Sequence, residues 1–282
     1  MSVLNAKRTC PMDEHLTTRP QIQVTLNPEG FREMQVHFEG TPSDDCPAIL
    51  KTGKTDSRLI FMSLSQRHAQ GLDAEYLVWH SLDHRPEQYR IAGLRHSIRV
   101  VSTPACRDAR AASVPEFDAV DHVIAYLFTG PASIPPFHEL FVALCDNGRF
   151  EPKLPSVGFV VGDCAGRVAA PRVVVGADVV PWRPLLGAYL LIEEGSATLG
   201  DLADTPGVAG AWWFDGIDCP APFQGSSKGR QIAVLFLDED PVAVAQELRP
   251  KLDSRWVGGA VSGLLAAPFH AVVPFDWSRH LP

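Results

Sequence analysis

The chain has 282 residues, 45% of them hydrophobic and 21% charged, with a formal net charge of −8. At about 100–200 residues per domain, that length predicts two domains or one duplicated unit, with the composition of a soluble globular protein. The acidic balance argues against nucleic acid as a partner, and no apolar run reaches the length of a membrane span. None of the six cysteines lies in a CxxC pair, and the start MSVLNAKRTCPMDEH has no apolar leader. Reduced thiols and a cytoplasmic location are therefore expected.

The first 20 residues are polar and patternless. QIQVTL and FREMQVHF flank the turn NPEG and predict a β-hairpin, residues 21–26 with 31–38. Residues 40–57 are rich in turn formers and read as a linker. RLIFMSLS (58–65) is a short apolar run, a buried strand. Asp73 is placed to cap a helix from about 74 to 84, which Pro86 should stop or kink. GLRHSIRVV (93–101) and DAVDHVIAYLF (118–128) read as strands. Ser133 is placed to cap a second helix ending near Asn147-Gly148. SVGFVVG (156–162) and PRVVVGADVV (171–180) read as further strands. The order is β-α-β-β-α-β, a ferredoxin-like unit.

The second half repeats this pattern in weaker form. Strands are predicted at 187–194, 207–214, 230–237 and 264–273, with a helix from Asp238/Asp240 to about Leu252. Ile124-Ala125-x-Leu127-Phe128 recurs as Ile232-Ala233-x-Leu235-Phe236, and Glu139-Leu140 recurs at the same spacing as Glu247-Leu248. Duplication follows from these matches. The expected fold is α+β: an N-terminal extension with a hairpin (1–56), a first ferredoxin-like domain (57–182) and a second, degenerate one (183–282).

Trp79, His84-x-Pro86 and Gly93-Leu94-Arg95 carry a resemblance. Over residues 58–150 the chain resembles the dimeric α/β-barrel superfamily, in its EthD-like and muconolactone-isomerase-like branch. The resemblance implies two antiparallel sheets packed face to face, here within one chain, with a further homodimer left open. The second half has no His-x-Pro, and fewer residues separate its first strand from Gly207 than separate 58–65 from Gly93. Its first helix should be short or lost, which leaves the candidate pocket in the first half.

In a helix Tyr76, His80 and His84 fall at i, i+4 and i+8, on one stripe. Asp83 is close enough to raise an imidazole pKa and fix its tautomer. Acid/base chemistry without a cofactor would need little more than these groups in a dry pocket. The resemblance makes His84 the acid/base candidate, with His80 and Asp83 assisting. The expected substrate-binding set is Trp79, Arg95, Tyr76, His122, Tyr126 and Trp213. Arg95 offers a fork of donors to an anion. His122 shares a strand face with Ile124, and only one of Trp212 and Trp213 faces inward.

His80-Ser81-Leu82-Asp83-His84 resembles the H-x-x-E-H zinc order. Asp is too short, however, and Pro86 breaks the helix such a site needs, so no metal is expected. Haem is the cofactor alternative, through His122, His138 or His270. No Walker A or GxGxxG motif is present. The expected activity is cofactor-independent proton transfer (isomerase, cyclase or decarboxylase type) on a small apolar carbonyl, lactone or phenolic compound. A haem- or ligand-binding protein and a non-catalytic accessory protein are the alternatives.

Overall fold

The computed structural model describes residues 21–26, 32–37, 41–45, 56–149 and 154–282. The chain divides into two compact units, residues 1–41 and 42–282. In the first unit, β1 (Gln21–Leu26) and β2 (Arg32–His37) pair antiparallel, from Gln21 opposite His37 to Leu26 opposite Arg32. This is the hairpin the alternating pattern predicts. Its turn lies outside the described residues.

The second unit begins with β3 (Leu59–Ser65), α1 (Asp73–Trp79), a π-helical turn (His80–His84) and α2 (Arg85–Gln88). Next come β4 (Leu94–Val101), α3 (Pro104–Asp108), β5 (Ala112–Ser113), β6 (His122–Phe128), α4 (Ile134–Asp146) and β7 (Ser156–Ala169). The chain continues through β8 (Gly187–Glu194), α5 (Gly200–Ala203), β9 (Val208–Gly216), β10 (Arg230–Leu237), α6 (Pro241–Trp256) and β11 (Ser262–Ala271). The result is a mixed α+β fold with one large antiparallel sheet and few helices.

The strands follow the order β4-β6-β3-β7-β9-β10-β8-β11, and β11 returns to β4 through His270–Val101 and Ala271–Val100. The sheet therefore closes on itself, which removes its edges. The short β5 lies along β11. Alternation along the strands sorts side chains into two environments. Ile60, Met62 and Leu64 of β3 and Ile232, Val234 and Phe236 of β10 point inward, with Trp212, Phe214 and Phe269, into one continuous core. The opposite faces pack under helices. Phe61, Tyr126 and Phe128 meet Phe137 of α4, while Leu235 and Leu237 meet Val244, Leu248 and Leu252 of α6. Both faces of these strands are buried, which is why they read as continuous apolar runs.

Several boundaries differ from expectation. Residues 171–180 form no strand. β7 instead runs on to Ala169 and pairs with β9, and the 171–180 loop buries Val173 and Val180 in the barrel core. The run is apolar because it plugs the barrel, not because it pairs. The predicted linker is partly structured: the backbone N–H of Ser43 donates to Val174 O, and Asp44 accepts from the backbone N–H of Ala177. Residues 118–121 precede β6 rather than joining it. Of Asp238 and Asp240, it is Asp240 that caps α6, accepting from the backbone N–H groups of Val242 and Ala243, and α6 continues past Leu252 to Trp256. Ser133 and Asp73 do not cap their helices. The Asp73 carboxylate turns instead to the backbone N–H of His68 and to His122. The first helix of the second half is reduced to the four residues of α5.

Candidate functional site

A cavity of about 270 Å³ lies between the outer face of β3, β6 and β7 and the helices α1 and α4. Strand register builds its floor. Ser65 stands opposite His122 on β6 and Ser156 on β7; Ser63 stands opposite Ile124 and Phe159; Phe61 stands opposite Tyr126. Two strand residues advance about 6.6 Å and four helical residues about 6 Å, so the two rows stay nearly in step. Tyr76, His80 and His84 thus share the cavity with Ser65, Ser63 and Phe61. Tyr76 meets His122 edge-on at 6.0 Å, which fixes one end of this alignment.

Pro86 does not end the helix. The N–H of Arg85 donates to the carbonyl of His80, five residues back, so His80–His84 is a widened π turn. A proline ring clashes with the carbonyl four residues before it, and the wider turn lets Pro86 follow without that clash. The helical stripe therefore reaches Gln88, which is buried. Gln88 reaches back to the Nε2 of His84 at 2.8 Å. The His84 ring stacks on Trp79, with centroids 4.8 Å apart, and the Trp79 indole N–H donates to Arg149 O.

His80 is 2% exposed, and neither of its ring nitrogens has a hydrogen-bond partner among the described residues. Its ring stacks on Tyr76 at 5.8 Å. Burial, reinforced by the Arg99 charge, holds its pKa well below the usual histidine value, so His80 rests neutral. Burial likewise lowers His84 to about 4, and the opposing pull of Asp83 does not offset it. The expectation that a neighbouring carboxylate would raise these imidazoles thus gives way to desolvation. Tyr126 is completely buried, and its phenol is pushed up by the same cause.

Of the residues singled out from the sequence, Tyr76, Trp79, His80, His84, Tyr126 and the haem candidate His138 line the cavity. Asp83 turns away to Arg149 at 2.9 Å. Arg95 sits on the surface, paired with Asp56 at 2.6 Å. His122 lies behind Tyr76, fully buried, with Nε2 2.9 Å from Asp73. Trp213 belongs to the second half, packed beside the α6 core, while Trp212 faces into the barrel. Gln88, Phe137, Phe159 and Phe223 complete the site without having been singled out. Gln88 was hidden by the proline rule. Phe223, in the loop after β9, carries no local signal, yet it packs 4.7 Å from Phe61.

Of the three haem candidates only His138 lines the cavity, and the rest of the described lining suits haem poorly. The cavity is below the range of about 300–1,000 Å³ usual for drug-sized ligands. No lysine or arginine lines it to meet the propionates. His122 has one nitrogen on Asp73 and the other 3.4 Å from Arg99, and His270 stacks on His280 at 4.0 Å. Among the described residues, no group of three or more His, Cys, Asp or Glu is arranged to hold a metal ion. No described helix is long and apolar enough to cross a membrane.

No family model matches the chain, and no curated protein matches it. Solved structures do resemble it in outline. One, of an anthrone oxidase-like protein, is 12% identical, covers 78% of this chain and 93% of its own, and gives a TM-score of 0.46. A putative chlorite dismutase is 10% identical over 79% and 98% of the two chains, with a TM-score of 0.46. A putative monooxygenase from Lactobacillus acidophilus is 10% identical over 76% and 93%, with a TM-score of 0.41. Likeness at this level assigns no chemistry, so function is argued from the cavity.

Proposed function

We propose that this cavity is the active site of a cofactor-independent enzyme that moves a proton on a small aromatic or cyclic carbonyl or phenolic compound, by isomerisation or a related step. Two ferredoxin-like units in tandem, each threading its four strands in the same order, would form the scaffold, with the site in the first. The observation that carries the reading is His80: a buried, neutral imidazole with both nitrogens unpartnered, at the wall of an aromatic cavity.

A neutral imidazole has one acceptor nitrogen and one N–H donor. His80 would take a proton from a C–H or O–H of the substrate at one nitrogen and return a proton to another atom from the other. The ring ends as its other tautomer and the substrate as its isomer, with no net charge left on either. Such a shuttle suits a site where burial disfavours imidazolium. This moves the acid/base role from His84 to His80, with His84, held by Gln88 and Trp79, orienting the substrate. Phe61, Phe137, Phe159 and Phe223 would exclude water and grip the ring.

The test is exchange of α-carbon or ring hydrogens of cyclic ketones and phenols for deuterium in D2O, followed by NMR. His80→Gln should slow exchange about 100-fold or more while binding persists. Unchanged exchange in that variant defeats the proposal. A second reading, ligand binding without turnover, draws on the depression of the His80 pKa, since an efficient general base titrates near the working pH. Saturable binding with no exchange in the parent protein would favour it.

A further inference from the structure

Arg99 is 4% exposed, projects from the helix-covered face of β4, and forms no ion pair among the described residues. Its guanidinium lies over the Tyr76 ring, 4.7 Å from the centroid. One terminal nitrogen is 3.4 Å from His122 Nδ1, and its Nε has no partner. Arginine only donates, so His122 Nδ1 is the acceptor and the ring proton sits on Nε2, where it is donated to Asp73. The Asp73 carboxylate also takes the backbone N–H of His68 at 2.7 Å. The negative end of this buried array therefore lies beyond His122, and its positive end lies against Tyr76, a wall of the cavity.

The surrounding charges do not cancel it. No carboxylate lines the cavity. Asp121 is taken up by Arg107 and the backbone N–H of Arg67. Asp83 faces Arg149. The charges that bear on His80 are those of Arg99 and Arg85, both positive, since His84 and His122 rest neutral, and the same two arginines bear on Tyr126. A buried charge without a close counter-ion is costly, and such charges are ordinarily paired.

We infer that the cavity takes its ligand as an anion, a phenolate or an enolate whose charge is matched by Arg99 across the Tyr76 ring. This rests on the reading of the cavity as a ligand site. Arg99 is a positioning residue here: it acts through Tyr76 and the field at His80, and His122 and Asp73 hold it in place. An anion would answer the unpartnered His80 as well, since the imidazole N–H donates to a phenolate or enolate oxygen.

The experiment compares 4-nitrophenol, whose neutral and ionised forms differ in visible absorption, with 4-nitrotoluene, a neutral analogue of similar shape. Both are titrated into the full chain. Bound nitrophenol should ionise at a pH at least one unit below its value in water, about a tenfold enrichment of phenolate. Arg99→Met should abolish that shift and leave nitrotoluene affinity within about twofold, with Arg99→Lys retaining part of it. Nitrophenol bound in its neutral form while nitrotoluene binds would overturn the anion inference and leave the cavity reading standing. Failure of both probes to bind the parent protein would sink both. The parent spectrum alone decides the matter if Arg99→Met does not fold.

Discussion

The Gln88 side-chain nitrogen lies 2.8 Å from Nε2 of His84, one turn before it on the same helical stripe. An amide NH2 only donates, so Nε2 accepts and the His84 ring proton sits on Nδ1. Gln88→Leu keeps much of the volume and removes the polar bridge to the His84 acceptor. An unsatisfied buried group costs about 1–3 kcal/mol, and urea unfolding of the variant should show a loss of that size. An unchanged midpoint would mean the bridge does not stabilise the fold.

Acid should weaken the protein before its carboxylates titrate. His84 has a folded-state pKa of about 4, against about 6.5 in the unfolded chain. Between these values the unfolded state binds a proton that the folded state refuses. Stability from this group is therefore complete above pH 6.5 and declines as pH falls toward 4, by up to about 1.4 kcal/mol per unit. His80 is lowered in the same direction, and His96 to about 4, both chiefly by burial. Unfolding free energy should thus be lower at pH 5 than at pH 7.5, and His84→Gln should flatten the slope by one proton's worth. A profile level from pH 7.5 to 5 would contradict this.

In the second half the corresponding weight rests on a buried ion pair. Glu193 is 1% exposed, receives Arg255 through Nε and Nη2 at 2.8 Å, and accepts the Trp256 indole N–H at 2.7 Å. Arg255→Met strands the Glu193 carboxylate beside apolar neighbours. Breaking one side of such a pair costs about 3–5 kcal/mol, and thermal unfolding should register it. The double variant with Glu193→Gln should recover part of the loss, because the stranded charge is gone.

The seam between the halves depends on a small residue. Gly166 of β7 lies under the Trp213 ring of β9, and a Cβ there would come within 2.1 Å of it. Gly166→Ala forces the indole or the strand to move, at about 1–3 kcal/mol. Reduced stability, with faster amide exchange along β7 and β9, is expected; protection equal to that of the parent chain would show that the seam yields without cost.

The strands at 187–194 and 230–237, the Asp240 cap and the Tyr76–His80–His84 stripe were legible in the sequence, because each is decided by neighbours within a few residues. Apolar runs, capping side chains and helical spacing act locally. The 171–180 segment was misread because an apolar run reports burial, and burial inside a barrel does not require pairing. Of the stop or kink expected at Pro86, the stop does not occur: the helix departs from α geometry in the π turn His80–His84 and continues to Gln88.

What only the tertiary structure decided is which groups share an environment. Residues far apart in the chain, Phe61 and Phe223, form one wall. Arg95 and Arg99, four residues apart on one strand, meet opposite fates, one in solvent with Asp56 and one buried under Tyr76. The protonation of His80 and His84 follows from desolvation, a property of everything packed around them. By itself the sequence determined most of the strands, the α6 helix and the histidine stripe. The closed sheet and the helices laid on it determined that the stripe faces a largely aromatic cavity, because burial and charge pairing are summed over the whole neighbourhood and no short window contains them.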